Sequence, residues 1–224
     1  MKFAGIQKTS LIDFPDEIAT VLFTPGCNLR CPFCHNWRLI LDPKGPFYSE
    51  EYVIELLESR KKYVEAVAIT GGEPTIHSDI PHFLKKLKIK GFYTKLDTNG
   101  FFPYTLEKCL PYLDYVAVDV KTCLEKYGLL GAKNTDDFLK TIEILRKGSL
   151  EYEFRCTVVP TFINEKSIPK IGKLLKSTKR FALQQFVPGD TLDKSFDVKP
   201  YSNDTIAHFA NLMKDYVEEI ILRI

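Results

Sequence analysis

Val64-Glu65-Ala66-Val67-Ala68-Ile69-Thr70 runs straight into Gly71-Gly72-Glu73-Pro74. The first seven residues are almost continuously apolar and rich in β-branched side chains. A short run of that kind, stopped by two glycines, predicts a strand. Strands that read as apolar throughout, rather than alternating, are covered on both faces, as in parallel sheets flanked by helices. If that holds here, helices should lie on either side in sequence.

They do. Upstream, Ser49-Glu50-Glu51-Tyr52 opens a predicted helix that continues through Leu56, Leu57 and Arg60, with Ser49 as its N-cap. Before it, Ile18-Ala19-Thr20-Val21-Leu22-Phe23 is another short β-branched run. Downstream, helices are expected over residues 80–88, 104–110, 136–147, 165–177 and from 202 to about 219. Strands are expected over residues 91–96, 115–118, 152–159 and 181–186. Six strands alternating with helices make an α/β fold of parallel strands. Six units are too few for the eight-fold barrel, which takes about 250 residues. The expectation is a partial (β/α)6 barrel in a single domain, residues 1–224, with an N-terminal β extension over residues 2–14.

The bulk numbers narrow the function. With 224 residues, 45% hydrophobic and 27% charged, the chain reads as an ordinary globular protein with a sizeable core. Thirty-one Lys and Arg against 29 Asp and Glu leave a net charge of +2, which disfavours nucleic-acid binding through bulk charge. No apolar run approaches the roughly 20 residues of a membrane span. Met1-Lys2-Phe3-Ala4 leads directly into mixed polar sequence, so a cytoplasmic protein is expected. There, six cysteines point to metal or redox chemistry before disulfides. Cys109, Cys123 and Cys156 are scattered and read as packing residues.

The other three are not scattered. Gly26-Cys27-Asn28-Leu29-Arg30-Cys31-Pro32-Phe33-Cys34-His35-Asn36 carries a C-x3-C-x2-C spacing. Thiolates are soft ligands for zinc and iron–sulfur clusters. A structural zinc site would need a fourth protein ligand, such as His35 or a distant cysteine. A 4Fe–4S cluster normally takes four cysteines, so three leave one iron open to a substrate or cofactor. Phe33, beside the last cysteine, is suited to packing against a planar ligand.

The ends of the first four predicted strands carry distinctive residues, and parallel α/β folds build their active sites at that edge. Gly71 and Gly72 let a ligand approach the backbone closely, and Glu73 offers a carboxylate to an ammonium. Asp97-Thr98-Asn99-Gly100 and Asp119-Val120-Lys121 add two carboxylates suited to ribose hydroxyls, an ammonium or a cation. Asp97-Thr98-Asn99-Gly100 taken alone also reads as a plain turn. Arg155 stands inside an apolar strand and so needs a charged partner.

Together these residues resemble the radical S-adenosylmethionine (SAM) superfamily. Cys27, Cys31 and Cys34 match its cysteine signature and Gly71-Gly72-Glu73 its Gly-Gly-Glu motif. More narrowly, Gly5-Ile6-Gln7-Lys8-Thr9-Ser10-Leu11-Ile12-Asp13-Phe14-Pro15 and Cys34-His35-Asn36 are similar to the glycyl-radical enzyme activating enzymes. The likeness is strongest to the anaerobic ribonucleoside-triphosphate reductase activating proteins, and extends to pyruvate formate-lyase activating enzyme. The resemblance implies a 4Fe–4S cluster on Cys27, Cys31 and Cys34, with SAM on the fourth iron. It implies adenine recognition by the backbone at Phe33 and binding of the methionyl amino group by Gly71, Gly72 and Glu73. Asp97, Thr98, Asp119, Lys121 and Arg155 would contact SAM, and the two aspartates would also help hold a monovalent cation. The implied partners are a glycyl-radical enzyme as protein substrate and a flavodoxin or ferredoxin as electron donor. One departure is clear: Leu183-Gln184-Gln185-Phe186-Val187-Pro188 has no histidine where relatives carry one after the sixth strand. Two rivals remain. A 7-carboxy-7-deazaguanine synthase is similar in size but carries Cys-Asp after its last cysteine. A non-catalytic zinc protein would make Gly71-Gly72-Glu73 incidental.

Overall fold

The computed structural model describes residues 1–41, 43 and 45–224, and the chain folds into two compact units. The first comprises residues 1–28, 36–98 and 102–116; the second comprises 29–35, 99–101 and 117–224.

The elements of the first unit, in order, are β1 (Lys2–Phe3), β2 (Gly5–Ser10), β3 (Ala19–Thr24), α1 (Trp37–Leu41), β4 (Tyr48–Ser49), α2 (Glu50–Arg60), β5 (Ala66–Gly71), α3 (Ile80–Ile89), β6 (Tyr93–Thr98) and α4 (Pro103–Cys109). The strand order is β6-β5-β3-β2. β3, β5 and β6 run parallel, and β2 is antiparallel to β3 at the edge. β1 pairs with β4 in a separate two-stranded ribbon. Ala66, Val67, Ala68 and Ile69 are fully buried, as strands sheltered on both faces require. α2 starts where Ser49 accepts a hydrogen bond from the Tyr52 amide, the expected N-cap. α3 buries Ile80, Phe83, Leu84 and Leu87, and Phe83 meets Phe3 at 4.9 Å between ring centroids.

The second unit holds the end of β7 (Tyr115–Asp119), then α5 (Asp136–Lys147), β8 (Glu151–Val158), α6 (Ile168–Leu174), β9 (Thr178–Gln185), α7 (Asn203–Met213) and β10 (Val217–Arg223). Its strand order is β10-β9-β8-β7. β8, β9 and β10 are parallel, with Phe154 opposite Phe181 and Val217 opposite Thr178. α5 turns Phe138, Thr141, Ile142 and Leu145 inward. α6 packs so closely at Gly172 that a Cβ there would lie 2.4 Å from the Tyr216 ring.

The last helix departs from expectation. It stops at Met213, and residues 217–223 form β10 rather than a continuation. Val217, Ile220 and Ile221 are β-branched, and the strand extends the ladder of β9 over its length. α6 is also shorter than the expected 165–177. No described helix is long and apolar enough to cross a membrane.

Candidate active site

In each unit the motif residues sit at or near the C-terminal ends of strands. In the first unit, β3 ends at Thr24 and the chain turns through Pro25 and Gly26 to Cys27. Three main-chain bonds hold this turn: Gly26 N–H to Leu39 O at 2.7 Å, Gly72 N–H to Thr24 O at 2.8 Å, and Glu73 N–H to Gly26 O at 2.8 Å. The Gly71-Gly72-Glu73 loop therefore lies directly on the turn that leads to Cys27. The approach demands glycine. Gly71 has φ +110°, and a Cβ on Gly72 would stand 1.8 Å from the Gly26 carbonyl oxygen. Asn36, from the end of the cysteine motif, donates its amide Nδ2 to Gly71 O at 3.0 Å. His77 closes the same region through its Nε2, 2.8 Å from Pro25 O.

Glu73 is only 1% exposed. Its Oε1 accepts from the Thr75 amide at 3.0 Å, from the Thr75 hydroxyl, and from the Thr98 hydroxyl at 2.7 Å. A buried carboxylate needs such donors, and here they fasten the end of β5 to the end of β6. Asp97, also buried, receives Lys95 Nζ at 2.5 Å. Lys95 is 2% exposed and two residues back along β6, so both side chains leave the strand on the same face. Lys95 and Thr75 were not among the residues expected from sequence. Lys95 carried the same signal as Arg155, a cation inside a strand.

In the second unit, Cys31 and Cys34 share one tight turn, closed by Cys34 N–H to Cys31 O at 3.0 Å. The residues after β9 bind the back of this turn: Leu192 N–H reaches Cys34 O at 3.1 Å and Asp193 N–H reaches Pro32 O at 3.0 Å. The Phe33 ring is buried against Phe162 (5.2 Å) and Phe196 (6.2 Å), so its side chain belongs to an aromatic cluster that also includes Phe186. His35 stacks parallel to Phe186 at 6.4 Å.

Arg155 finds the partner that its position in a strand demanded. Its Nε lies 2.5 Å from Asp119 Oδ1, and Lys121 Nζ lies 2.8 Å from Asp119 Oδ2. Burial alone would push the Asp119 carboxyl up, but the charges of Arg155 and Lys121 outweigh it and hold the group well below the usual carboxylate range. Burial likewise opposes the charge on Lys121; the Asp119 carboxylate overcomes this, and the ammonium is held above its ordinary value. The buried Tyr127 hydroxyl accepts the Lys121 amide at 3.0 Å and fixes the turn after β7. At the end of β9, Gln185 donates Nε2 to Tyr201 O at 3.1 Å. Its Oε1 is buried and meets no hydrogen-bond donor among the described residues.

The first unit thus brings together Gly71, Gly72, Glu73 and Thr98, with Asp97 on Lys95 and with Cys27 just beyond the turn. The second brings together Cys31, Phe33 and Cys34, and separately Asp119, Lys121 and Arg155. None of the six cysteines is in a disulfide.

The radical SAM superfamily profile matches residues 21–175. A protein of Methanocaldococcus jannaschii provisionally named as a glycyl-radical enzyme activating enzyme is 33% identical over 98% of this chain and 95% of its own length. The pyruvate formate-lyase-activating enzyme of Clostridium pasteurianum is 30% identical over 84% of this chain and 82% of its own. Among solved structures, Streptococcus suis SuiB bound to S-adenosylmethionine superposes with a TM-score of 0.66 at 17% identity, over 91% of this chain and 51% of that one. At that identity the likeness speaks to fold alone, and it bears out the α/β fold of mostly parallel strands.

Proposed function

The chain belongs to the radical SAM superfamily, among the glycyl-radical enzyme activating enzymes, and we propose that it cleaves SAM reductively to install a glycyl radical on a partner enzyme. An anaerobic ribonucleoside-triphosphate reductase is the partner that the sequence resemblance favours. One catalytic domain over residues 1–224, a cytoplasmic setting and a flavodoxin or ferredoxin donor belong to the same reading.

The residues present suit the groups this requires. Three thiols supply soft ligands for three irons, one short of closing the cluster. Gly71 and Gly72 let the loop press directly on the turn before Cys27, where a Cβ would strike the Thr24 and Gly26 backbone. Gln185 presents a buried acceptor with no donor among the described residues, as a ligand hydroxyl or amine would need. When bound, a 4Fe–4S cluster supplies the electron that splits the SAM sulfonium into methionine and a 5′-deoxyadenosyl radical, the species that removes a glycine hydrogen.

The chain's own part is binding, orientation and exclusion of water. Cys27, Cys31 and Cys34 would hold the cluster. Gly71, Gly72 and Glu73 would bind the methionyl amino group, and Glu73, locked by Thr75 and Thr98, keeps that loop rigid beside Cys27. The backbone at Phe33 would recognise the adenine while its ring anchors the cysteine turn. Asp97, Thr98, Asp119, Lys121 and Arg155 would contact SAM, the charged groups among them offering fixed charges to its polar ends.

The observation that carries this reading is the bonding of the Gly-Gly-Glu loop onto the turn before Cys27, which couples the two most specific motifs. The test is anaerobic reconstitution with iron and sulfide, reduction with dithionite and addition of SAM. The expected products are 5′-deoxyadenosine and methionine in equal amounts. Cys31→Ala should yield neither while keeping its circular-dichroism spectrum. Stoichiometric zinc with no iron, or retained cleavage by Cys31→Ala, overturns the reading.

A further inference from the structure

The expected monovalent cation does not fit the charges of this chain. An alkali ion beside Asp97, or one beside Asp119, would need carboxylate charge left over by the protein. At Asp97 the charge is already met by Lys95, buried beside it at 2.5 Å. At Asp119 a single carboxylate faces both Arg155 and Lys121, at 2.5 and 2.8 Å. Each of these carboxylates therefore already has a cation of the protein in direct contact.

A further cation would have to share or displace one of these contacts. To reach Asp97 it would have to displace an ammonium that has almost no access to water. That displacement would strand a buried charge, among the costliest events in a protein interior. We infer that the Lys95 ammonium is the resident cation of this site, so that SAM binding requires no sodium or potassium ion. The inference rests on the SAM-binding role proposed above and assigns Lys95 as a positioning residue for Asp97.

The experiment measures SAM binding by equilibrium dialysis on the anaerobically reconstituted protein. It compares potassium chloride, sodium chloride and tetramethylammonium chloride at equal ionic strength. Tetramethylammonium is too large to occupy a carboxylate-lined ion site. The wild-type dissociation constant should agree within about twofold across the three salts, a difference well under 1 kcal/mol. Lys95→Met removes the charge but keeps the apolar stem. It should bind SAM about tenfold more weakly in tetramethylammonium and recover when potassium enters the vacated position. A wild-type affinity that rises about tenfold on adding potassium overturns the inference, and this arm needs no variant to fold. Unchanged binding by Lys95→Met in every salt overturns it as well. Absence of SAM binding by the wild type in all three salts overturns the proposed function and this inference with it.

Discussion

Gly72 has no room for a side chain, because the Gly26 carbonyl oxygen occupies the space where a Cβ would go. In Gly72→Ala the loop must retreat, weakening the bonds from Gly72 and Glu73 to the turn before Cys27. The expected cost is about 1–3 kcal/mol, read as a lower thermal midpoint, with fewer irons retained per chain after reconstitution. Unchanged iron content would detach the glycine loop from cluster binding. Asp119 makes a different prediction. Its folded pKa is depressed, so its ionised form stabilises the fold fully above the ordinary carboxylate value of about 3.9. That contribution is lost as pH falls below it toward the folded value. Asp119→Asn should therefore cost about 2–3 kcal/mol at pH 7, less than a fully buried pair because the group is partly exposed. The deficit should shrink as pH falls below 4. Apo-protein melts from pH 7 to pH 3 check this; a gap that stays constant across the range would show that the ionised pair adds nothing.

At the level of elements, the segment after β9 is the part most worth perturbing. Its backbone is bonded to Pro32 and Cys34, and Phe196 wedges between Phe33, Phe162 and Phe186. Phe196→Ala should leave the strands intact but loosen the cysteine turn. Half-buried, Phe196 should cost about 2–3 kcal/mol, below the about 3–5 typical of large core aromatics. The reconstituted cluster should bleach faster in air, followed by its visible absorbance. Equal bleaching rates would confine Phe196 to packing. Elements of this kind were the least legible in the sequence. α5 was readable to the residue, because Asp136 and Asp137 open it, Arg146 and Lys147 close it, and Gly148 follows. β10 was not, because Glu218 and Glu219 favour helix locally and only the ladder offered by β9 decides the matter. The motif residues were legible because they stand at strand ends. Lys95 was missed because an ammonium inside a strand acquires meaning only once Asp97 is seen beside it.

Taken whole, the chain sorts its six thiols into two chemical populations. Cys109, Cys123 and Cys156 lie in the core, and burial pushes the Cys109 and Cys156 thiols up to about 12. At neutral pH they hold almost no thiolate, the form that reacts. Cys27 and Cys34 are part-exposed and stand with Cys31 on the motif loop. Brief alkylation of the folded apo-protein with iodoacetamide at pH 7.5 should label that loop and spare the other three, as peptide mass spectrometry would report. Modification of Cys109 or Cys156 at a comparable rate would contradict their burial. Because the silent thiols need no mutation to be ignored, alkylation of the native protein becomes a titration of its empty sites. The label taken up in a partly loaded preparation counts the molecules that never received a cluster, and so turns a heterogeneous sample into a measurable fraction of competent enzyme.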